Sequence, residues 1–287
     1  MMEANHNRFN KCSETAWCPG CGNFGILNAL EKALNELGLL PHEVVICAGI
    51  GQAAKTPQYI NANGFNGLHG RALPPATGIK IANKHLKVIV NSGEGDSYGE
   101  GGNHFMHTIR RNIDIAHFVH NNQIYGLTKG QASPTSDMGF ATGIQTQGVV
   151  TEPLNPIALA ITLGASFVAR SFSGDAEHLK KVMKEAIMHN GYALVDILQP
   201  CISFNKVNTF KYYKERVYHL EETYDATDKQ KAFKRAQEWG DKIPMGIFYK
   251  QKKPTYTECV DCLKKGPALV DTTEDLEKIE KFMDEFC

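Results

Sequence analysis

Between residues 23 and 38 the chain reads NFGILNALEKALNELG, with apolar side chains at Phe24, Ile26, Leu27, Leu30, Leu34 and Leu37. Spacings of three and four predict a helix, and Gly38 marks its stop. Short β-branched runs follow in HEVVICAGIGQAA and LKVIVNSGEGD, each ending in glycine. The polar-apolar rhythm of GGNHFMHTIRRN predicts a second helix, and IDIAHFVHNN a third buried strand that stops at Asn-Asn. Farther on, DAEHLKKVMKEAIMHNG reads as a helix feeding a fourth such strand, ALVDILQPC. Strand and helix alternate through residue 201, which predicts an α/β fold with a doubly wound, mostly parallel sheet. In such sheets ligands gather at the carboxyl ends of the strands. The loops at 48–52, 93–96, 121–130 and 199–205 all fall on that edge.

From about residue 206 the pattern changes. Lys, Tyr, Glu and Gln rise, and KYYKERVYHLEETYDATDKQKAFKRAQEWG reads as short surface helices. Residues 1–205 are expected to form the main domain, and 206–287 a C-terminal helical arm packing on that domain or on a partner subunit.

Composition narrows the function classes. The chain has 287 residues, enough for one large core, and 31 basic against 31 acidic residues. No basic stripe argues for nucleic acid. No apolar run reaches the ~18 residues of a membrane span, and MMEANHNRFNKC lacks a signal peptide's apolar segment. A cytoplasmic location is expected. Eight cysteines are too few for a disulfide scaffold of this length, and a reducing cytosol favours metal or cluster ligation.

The segment from Gly93 to Gln131 carries candidate diphosphate chemistry. Glycines after a strand let the backbone approach an anion, and the next helix N-terminus offers unpaired N–H groups. Glu94 in that loop cannot face a diphosphate without repulsion, so it implies a bridging cation. Mg²⁺, with about six oxygens near 2.1 Å, suits a carboxylate, an amide oxygen and phosphates. Asn122, 28 positions after Glu94, can supply the amide, and the Ile124 carbonyl a third protein oxygen.

A strand ending Gly-Asp-Gly, then just under thirty residues, then Asn-Asn is the thiamine diphosphate motif. The longer run, with GGNHFMHTIRRNID and NNQIYGLTKGQASPTS, resembles the β subunit of 2-oxoacid:ferredoxin oxidoreductases. So do GIGQAAKTPQYI, GLHGRALPPATGIKIAN and QPCISFN, and the resemblance covers about residues 14 to 250 in one order. It implies a thiamine diphosphate-binding fold, with Gly49, Ile50, Gly51, His69, Gly93, Gly95, Asp96, Asn122, Tyr125, Gly126, Leu127 and Thr128 at the cofactor. Glu94, Asn122 and Ile124 are the expected Mg²⁺ ligands. The family usually has Asp where this chain has Glu94, so Asp96 is an alternative ligand or an organiser of the site. His69 is the candidate catalytic side chain. Arg71 and Lys129 are candidates to meet an anionic substrate or coenzyme A.

Cys18 and Cys21, in WCPGC, admit three readings. Thiol–disulfide exchange suits a CxxC opening a helix, but HNRFNKCSETA supplies no preceding strand. Zinc would need two more ligands, and Cys259 with Cys262 lies far beyond ribbon spacing. A [4Fe–4S] cluster takes four thiolates from separate loops. The resemblance places Cys18, Cys21 and Cys201 at such a cluster. Its fourth ligand falls at Gln52, a poor donor for soft iron. Cys12 is the expected replacement and Cys47 the alternative, while Cys259, Cys262 and Cys287 lie in the variable tail.

The resemblance implies reversible, coenzyme A-dependent oxidative decarboxylation of a 2-oxoacid, with electrons passed through the cluster to ferredoxin. The Gln52 loop and overall pattern look most like the 2-oxoglutarate members, whose products are succinyl-CoA and CO₂. Pyruvate or broad specificity is the alternative substrate reading. A non-catalytic metal-binding scaffold or a thiol–disulfide oxidoreductase is the alternative class. In the family an α subunit supplies the glutamate at the cofactor's aminopyrimidine and much of the substrate pocket. An obligate αβ or (αβ)₂ assembly is therefore expected.

Overall fold

The computed structural model describes residues 7–273 and 276–286; Cys287 lies outside the described residues. An eight-stranded sheet organises the chain, in the order β2-β1-β3-β4-β6-β5-β8-β7. Its strands are β1 (Val44–Ala48), β2 (Asn63–Asn66), β3 (Lys87–Gly93), β4 (Ile115–Asn121), β5 (Phe167–Phe172), β6 (Tyr192–Leu198), β7 (Val217–His219) and β8 (Ile243–Lys250). Neighbours pair in parallel except β5 and β8. Every residue of β1, β4, β5 and β6 is buried, as expected of parallel strands covered on both faces.

The helices divide between the two faces. On one, α1 (Gly22–Glu36) and α6 (Ala176–Met188) bring Ile26, Leu30, Leu34, Leu179 and Met183 onto Ile46, Ile89, Phe118 and Val195. On the other, α3 (Leu73–Ala82), α4 (Gly102–Arg111) and α5 (Pro156–Thr162) cover Val45, Val90, Val119 and Leu194. Alternate strand residues thus feed opposite cores, and the doubly wound sheet follows from the period-two pattern. The short α2 (Thr56–Tyr59) lies between β1 and β2.

The segment after residue 205 differs from the expected helical arm. It holds α7 (Phe210–Arg216), α8 (Lys229–Ala236), α9 (Tyr256–Cys259), α10 (Asp261–Lys265) and α11 (Leu276–Asp284), but also β7 and β8, which extend the sheet. Ile243, Met245 and Phe248 of β8 are buried, and Tyr213 of α7 donates its hydroxyl to Gln123 Oε1 at 2.7 Å. Residues 210–250 therefore pack on their own domain. Pro244 and Gly246 hide this strand from propensity, and Arg170, buried inside β5, hides its neighbour.

Candidate active site

The chain leaves β1 toward β2 at one edge and leaves β3 toward β4 in the opposite direction. Between β1 and β3 lies the topological switch point, where open α/β sheets form a ligand crevice. The loops carrying Gly49–Gln52 and Gly93–Asp96 open there. A π-helical turn, Gly95–Glu100, links β3 to α4, a distortion frequent at functional sites. Gly95 is required by close approach, since a Cβ there would overlap the Tyr125 ring, 2.7 Å from Cδ1.

Glu94 is 2% exposed and accepts a hydrogen bond from the Ile124 N–H at 3.0 Å. Asn122 Oδ1 accepts from the same N–H, also at 3.0 Å. Two oxygens of the expected Mg²⁺ set thus converge on one donor, with Gln123 in the left-handed region at φ 57°. Burial pushes the Glu94 carboxyl up to about 7, against hydrogen bonds from Ser133 and backbone donors that pull it down. Its partners are neutral, which leaves a buried acidic group suited to a cation.

Asp96 makes a different set of contacts. Its Oδ1 accepts from the Gly70 N–H at 2.7 Å and the Ile50 N–H at 3.0 Å, and lies 3.2 Å from His69 Nδ1. One carboxylate oxygen therefore ties the π-helical turn to the loops after β1 and before α3. A Cβ on Gly49 would strike this carboxylate. Gly49 makes room behind the cleft rather than lining it.

The cleft at this edge is lined by Ile50, Gly51, His69, Gly93, Gly95, Asp96, Tyr125, Gly126, Leu127 and Thr128, with Glu94, Asn122 and Ile124. Arg71 and Lys129 are exposed and lie outside the lining. Sequence reasoning missed Ala53, His120 and Gln199, which also line the cleft, and placed Gln52 only at the cysteines. His120 Nδ1 faces Asn23 Oδ1 at 2.8 Å, and its Nε2 meets the Asn91 side-chain amide at 3.1 Å. These partners assign a neutral Nδ1–H tautomer, and burial holds the imidazole at about 3. A buried histidine two residues before Asn122 was the available signal.

The sulfurs gather beside this cleft. Cys21 caps the N-terminus of α1, and burial, then the nearby Cys201 and Cys18 sulfurs, raise its thiol. Gln199 Nε2 lies 3.5 Å from Cys21 Sγ, while Gln199 Oε1 accepts from Asn122 Nδ2 at 3.3 Å. Ser203 Oγ lies 3.1 Å from Cys18 Sγ. Trp17 donates its indole N–H to the Gln52 carbonyl at 2.8 Å, which sets the cysteine loop against the β1 loop. The Gln52 side-chain oxygen is buried without a hydrogen-bond partner among the described residues. Cys12 is exposed, in the left-handed region, with its thiol 3.1 Å from Asn10 Oδ1.

Cys47, the alternative to Cys12 as fourth ligand, lies in the sheet. It belongs to the apolar cluster with Val45, Val88 and Val90, where burial pushes its thiol to about 12. Such a thiol is a packing residue. Cys259 and Cys262 are exposed in the C-terminal helices.

Comparison with known proteins extends this picture. Residues 44–197 match the model for the thiamine pyrophosphate enzyme C-terminal TPP binding domain. Residues 201–265 match that for the C-terminal part of the pyruvate ferredoxin oxidoreductase beta subunit. The 2-oxoacid:ferredoxin oxidoreductase subunit beta of Saccharolobus solfataricus is 46% identical over 278 residues, covering 92% of this chain and 90% of that one. The 2-oxoglutarate oxidoreductase subunit KorB of Mycobacterium tuberculosis is 45% identical over 197 residues, 69% of this chain and 53% of its own. Among solved structures, 2-oxoglutarate:ferredoxin oxidoreductase from Magnetococcus marinus, with 2-oxoglutarate, coenzyme A and succinyl-CoA bound, aligns at a TM-score of 0.91. That alignment carries 34% identity and covers 98% of this chain and 97% of the other.

Proposed function

The chain belongs to the β subunits of 2-oxoacid:ferredoxin oxidoreductases, and on that premise we propose that it holds the diphosphate end of thiamine diphosphate through Mg²⁺ and carries a [4Fe–4S] cluster beside it. The favoured reaction is the reversible conversion of 2-oxoglutarate and coenzyme A to succinyl-CoA and CO₂, with electrons leaving to ferredoxin. Relatives named for 2-oxoglutarate and the bound ligands of the Magnetococcus enzyme support that substrate.

The convergence of Glu94 and Asn122 on the Ile124 N–H carries the cofactor assignment. Glu94, Asn122 and the Ile124 carbonyl are the protein ligands of Mg²⁺. A buried carboxylate with only neutral partners, backed by glycines, fits that ion and a diphosphate. Asp96 Oδ1 is held by the Gly70 and Ile50 N–H groups, which suits an organiser of the loops, while its Oδ2 is buried without a hydrogen-bond partner among the described residues. When bound, thiamine diphosphate supplies the electron sink for decarboxylation of a 2-oxoacid. His69, held at Nδ1 by Asp96, presents Nε2 as the proton-handling group at the cleft. Arg71 and Lys129 offer exposed cations to an anionic substrate or coenzyme A.

Cys18, Cys21 and Cys201 are three cluster ligands, and three converging thiols at a helix N-terminus suit an iron–sulfur site. Cys12 is the proposed fourth, since Cys47 is in the core. A cluster held by these residues would supply a one-electron acceptor next to the cofactor cleft.

The cleft on this chain encloses about 70 Å³, well under the ~300 Å³ or more that buries a drug-sized ligand. The rest of its wall comes from a partner α subunit. Ferredoxin reduction assayed with the chain alone and with its partner tests this reading: activity is expected only with both. Full activity from the isolated chain, loaded with thiamine diphosphate and Mg²⁺, contradicts it.

A further inference from the structure

Away from the cleft, the chain entering α6 meets the edge strand β7. Asp175 is the N-cap of α6, its Oδ1 accepting from the His178 N–H at 3.2 Å. Its Oδ2 lies 2.9 Å from His219 Nε2. The His178 and His219 rings stack at 4.6 Å between centroids with 27° between planes. One ligand atom from each of the three residues lies within 4.8 Å of the other two. None of the three lines the cofactor cleft.

We propose that Asp175, His178 and His219 form a site for a divalent transition metal, with zinc the best fit and one coordination position open to solvent. Two imidazoles and a carboxylate match the donor set of three-ligand zinc sites, and the nitrogen donors disfavour Mg²⁺ and Ca²⁺. Tetrahedral bonds of ~2.0 Å need ligand atoms ~3.3 Å apart. The Asp175–His219 pair is already at 2.9 Å, and the three ligand atoms lie within 4.8 Å of one another, so the proposed site requires the ligands to draw in by up to about 1.5 Å. His178 is already oriented for ligation, since its Nδ1 contacts Ser171 Oγ at 2.8 Å and Ser171 is fully buried on β5. Ligation through the other ring nitrogen requires the Nδ1–H tautomer, in which His178 donates to Ser171 Oγ, the arrangement of a partner behind a ligating imidazole. The neighbouring Glu36 does not compete, because Lys180 and Lys184 each hold it at 2.8 Å.

The metal joins two parts of the chain. Asp175 and His178 belong to the main domain, while His219 closes the three-residue β7 in the segment after residue 205. Zinc at this point fastens that edge strand to the start of α6. Because a metal that binds only the folded state stabilises it, bound zinc raises the unfolding temperature.

Zinc titration of the full chain copurified with its α partner, alongside two variants, tests the site. His219→Ala removes a ligand that is more than half exposed. Asp175→Asn keeps a helix-capping side chain while removing the carboxylate. The wild type is expected to retain one zinc equivalent more than either variant after dialysis, and to bind more than ~100-fold tighter, beyond the ~10–100-fold loss typical of a residue behind a ligand. Zinc should raise the unfolding temperature of the wild type and leave His219→Ala unmoved. Cobalt in the same site should give a tetrahedral visible spectrum without thiolate charge-transfer bands, which separates it from the cysteines. Equal stoichiometry and affinity in wild type and both variants, or a cobalt spectrum of thiolate character alone, overturns the proposal.

Discussion

Asn122 and Cys201 flank the same glycine. A Cβ built on Gly126 would lie 4.0 Å from Asn122 Nδ2 and 4.0 Å from Cys201 Sγ, so amide and sulfur are at most twice that distance apart. The proposed Mg²⁺ ligand and the proposed cluster ligand are thus neighbours, although α5, β5, α6 and β6 separate them in sequence. Gln199 makes a second link to the sulfurs, touching Asn122 with its oxygen and Cys21 with its nitrogen. In the proposed site this closeness would give electrons a short path from the cofactor cleft to the sulfurs.

Gln199 is accordingly a positioning residue. Gln199→Leu keeps the volume but removes both polar contacts. It should lower thiamine diphosphate affinity by roughly tenfold, the ~1–2 kcal/mol of a lost hydrogen bond at a buried group, and shift the cluster potential. Cofactor titration and a redox titration on the same preparation check this. A change in neither property would leave Gln199 as packing alone.

The proposed role of Glu94 predicts a pH dependence for Mg²⁺ binding. Its carboxyl titrates at about 7 in the folded chain against an ordinary 4.5. Without metal, this raised value contributes stability below pH 4.5 that is lost as pH rises through 7. Mg²⁺ must displace the proton, so binding should strengthen by up to ~tenfold per pH unit between about 5 and 7, releasing up to one proton. Calorimetry in buffers of different ionisation enthalpy measures that release. Glu94→Gln should abolish it, and a wild type with no pH slope would assign the metal elsewhere.

Cysteine substitutions separate ligands from packing. Cys201→Ser should lose bound iron while keeping thiamine diphosphate, whereas Cys47→Ala should keep about four irons and four sulfides per chain. Cys47→Ala should cost only about 1 kcal/mol, as a small core truncation. Loss of iron in Cys12→Ser, measured on anaerobic protein, identifies the fourth ligand; retention removes Cys12 from the set.

Much of this architecture was legible in the sequence. The strands at 44–48, 87–93, 115–121 and 192–198 are near-continuous apolar runs, and the glycines and asparagines ending them mark the functional edge. β2 was hidden because NGFN is short and has no buried residue. β5 was hidden because Arg170 sits in it, 1% exposed, 3.8 Å from Asp196 and against the Trp239 ring. His120 and Gln199 escaped notice for another reason. Their contacts come from parts of the chain distant in sequence, with Asn91 on β3, Asn23 in α1 and Cys21 at its N-cap.

The Arg170–Asp196 pair itself is testable. Asp196 accepts from the Tyr98 hydroxyl at 3.0 Å and the Asn121 amide at 3.2 Å. Asp196→Ala leaves a buried guanidinium unpaired and should cost ~3–5 kcal/mol. Denaturant unfolding measures the loss, and a cost under about 1 kcal/mol would mean that water reaches Arg170.

The most direct measurement is an anaerobic visible spectrum of the chain with its α partner, taken before and after adding 2-oxoglutarate and coenzyme A. Bleaching of the cluster absorbance is expected when thiamine diphosphate and Mg²⁺ are present, and none when either is omitted or when Glu94 is replaced by Ala. A preparation that binds no iron, or a cluster that stays oxidised with every component supplied, contradicts the shared site.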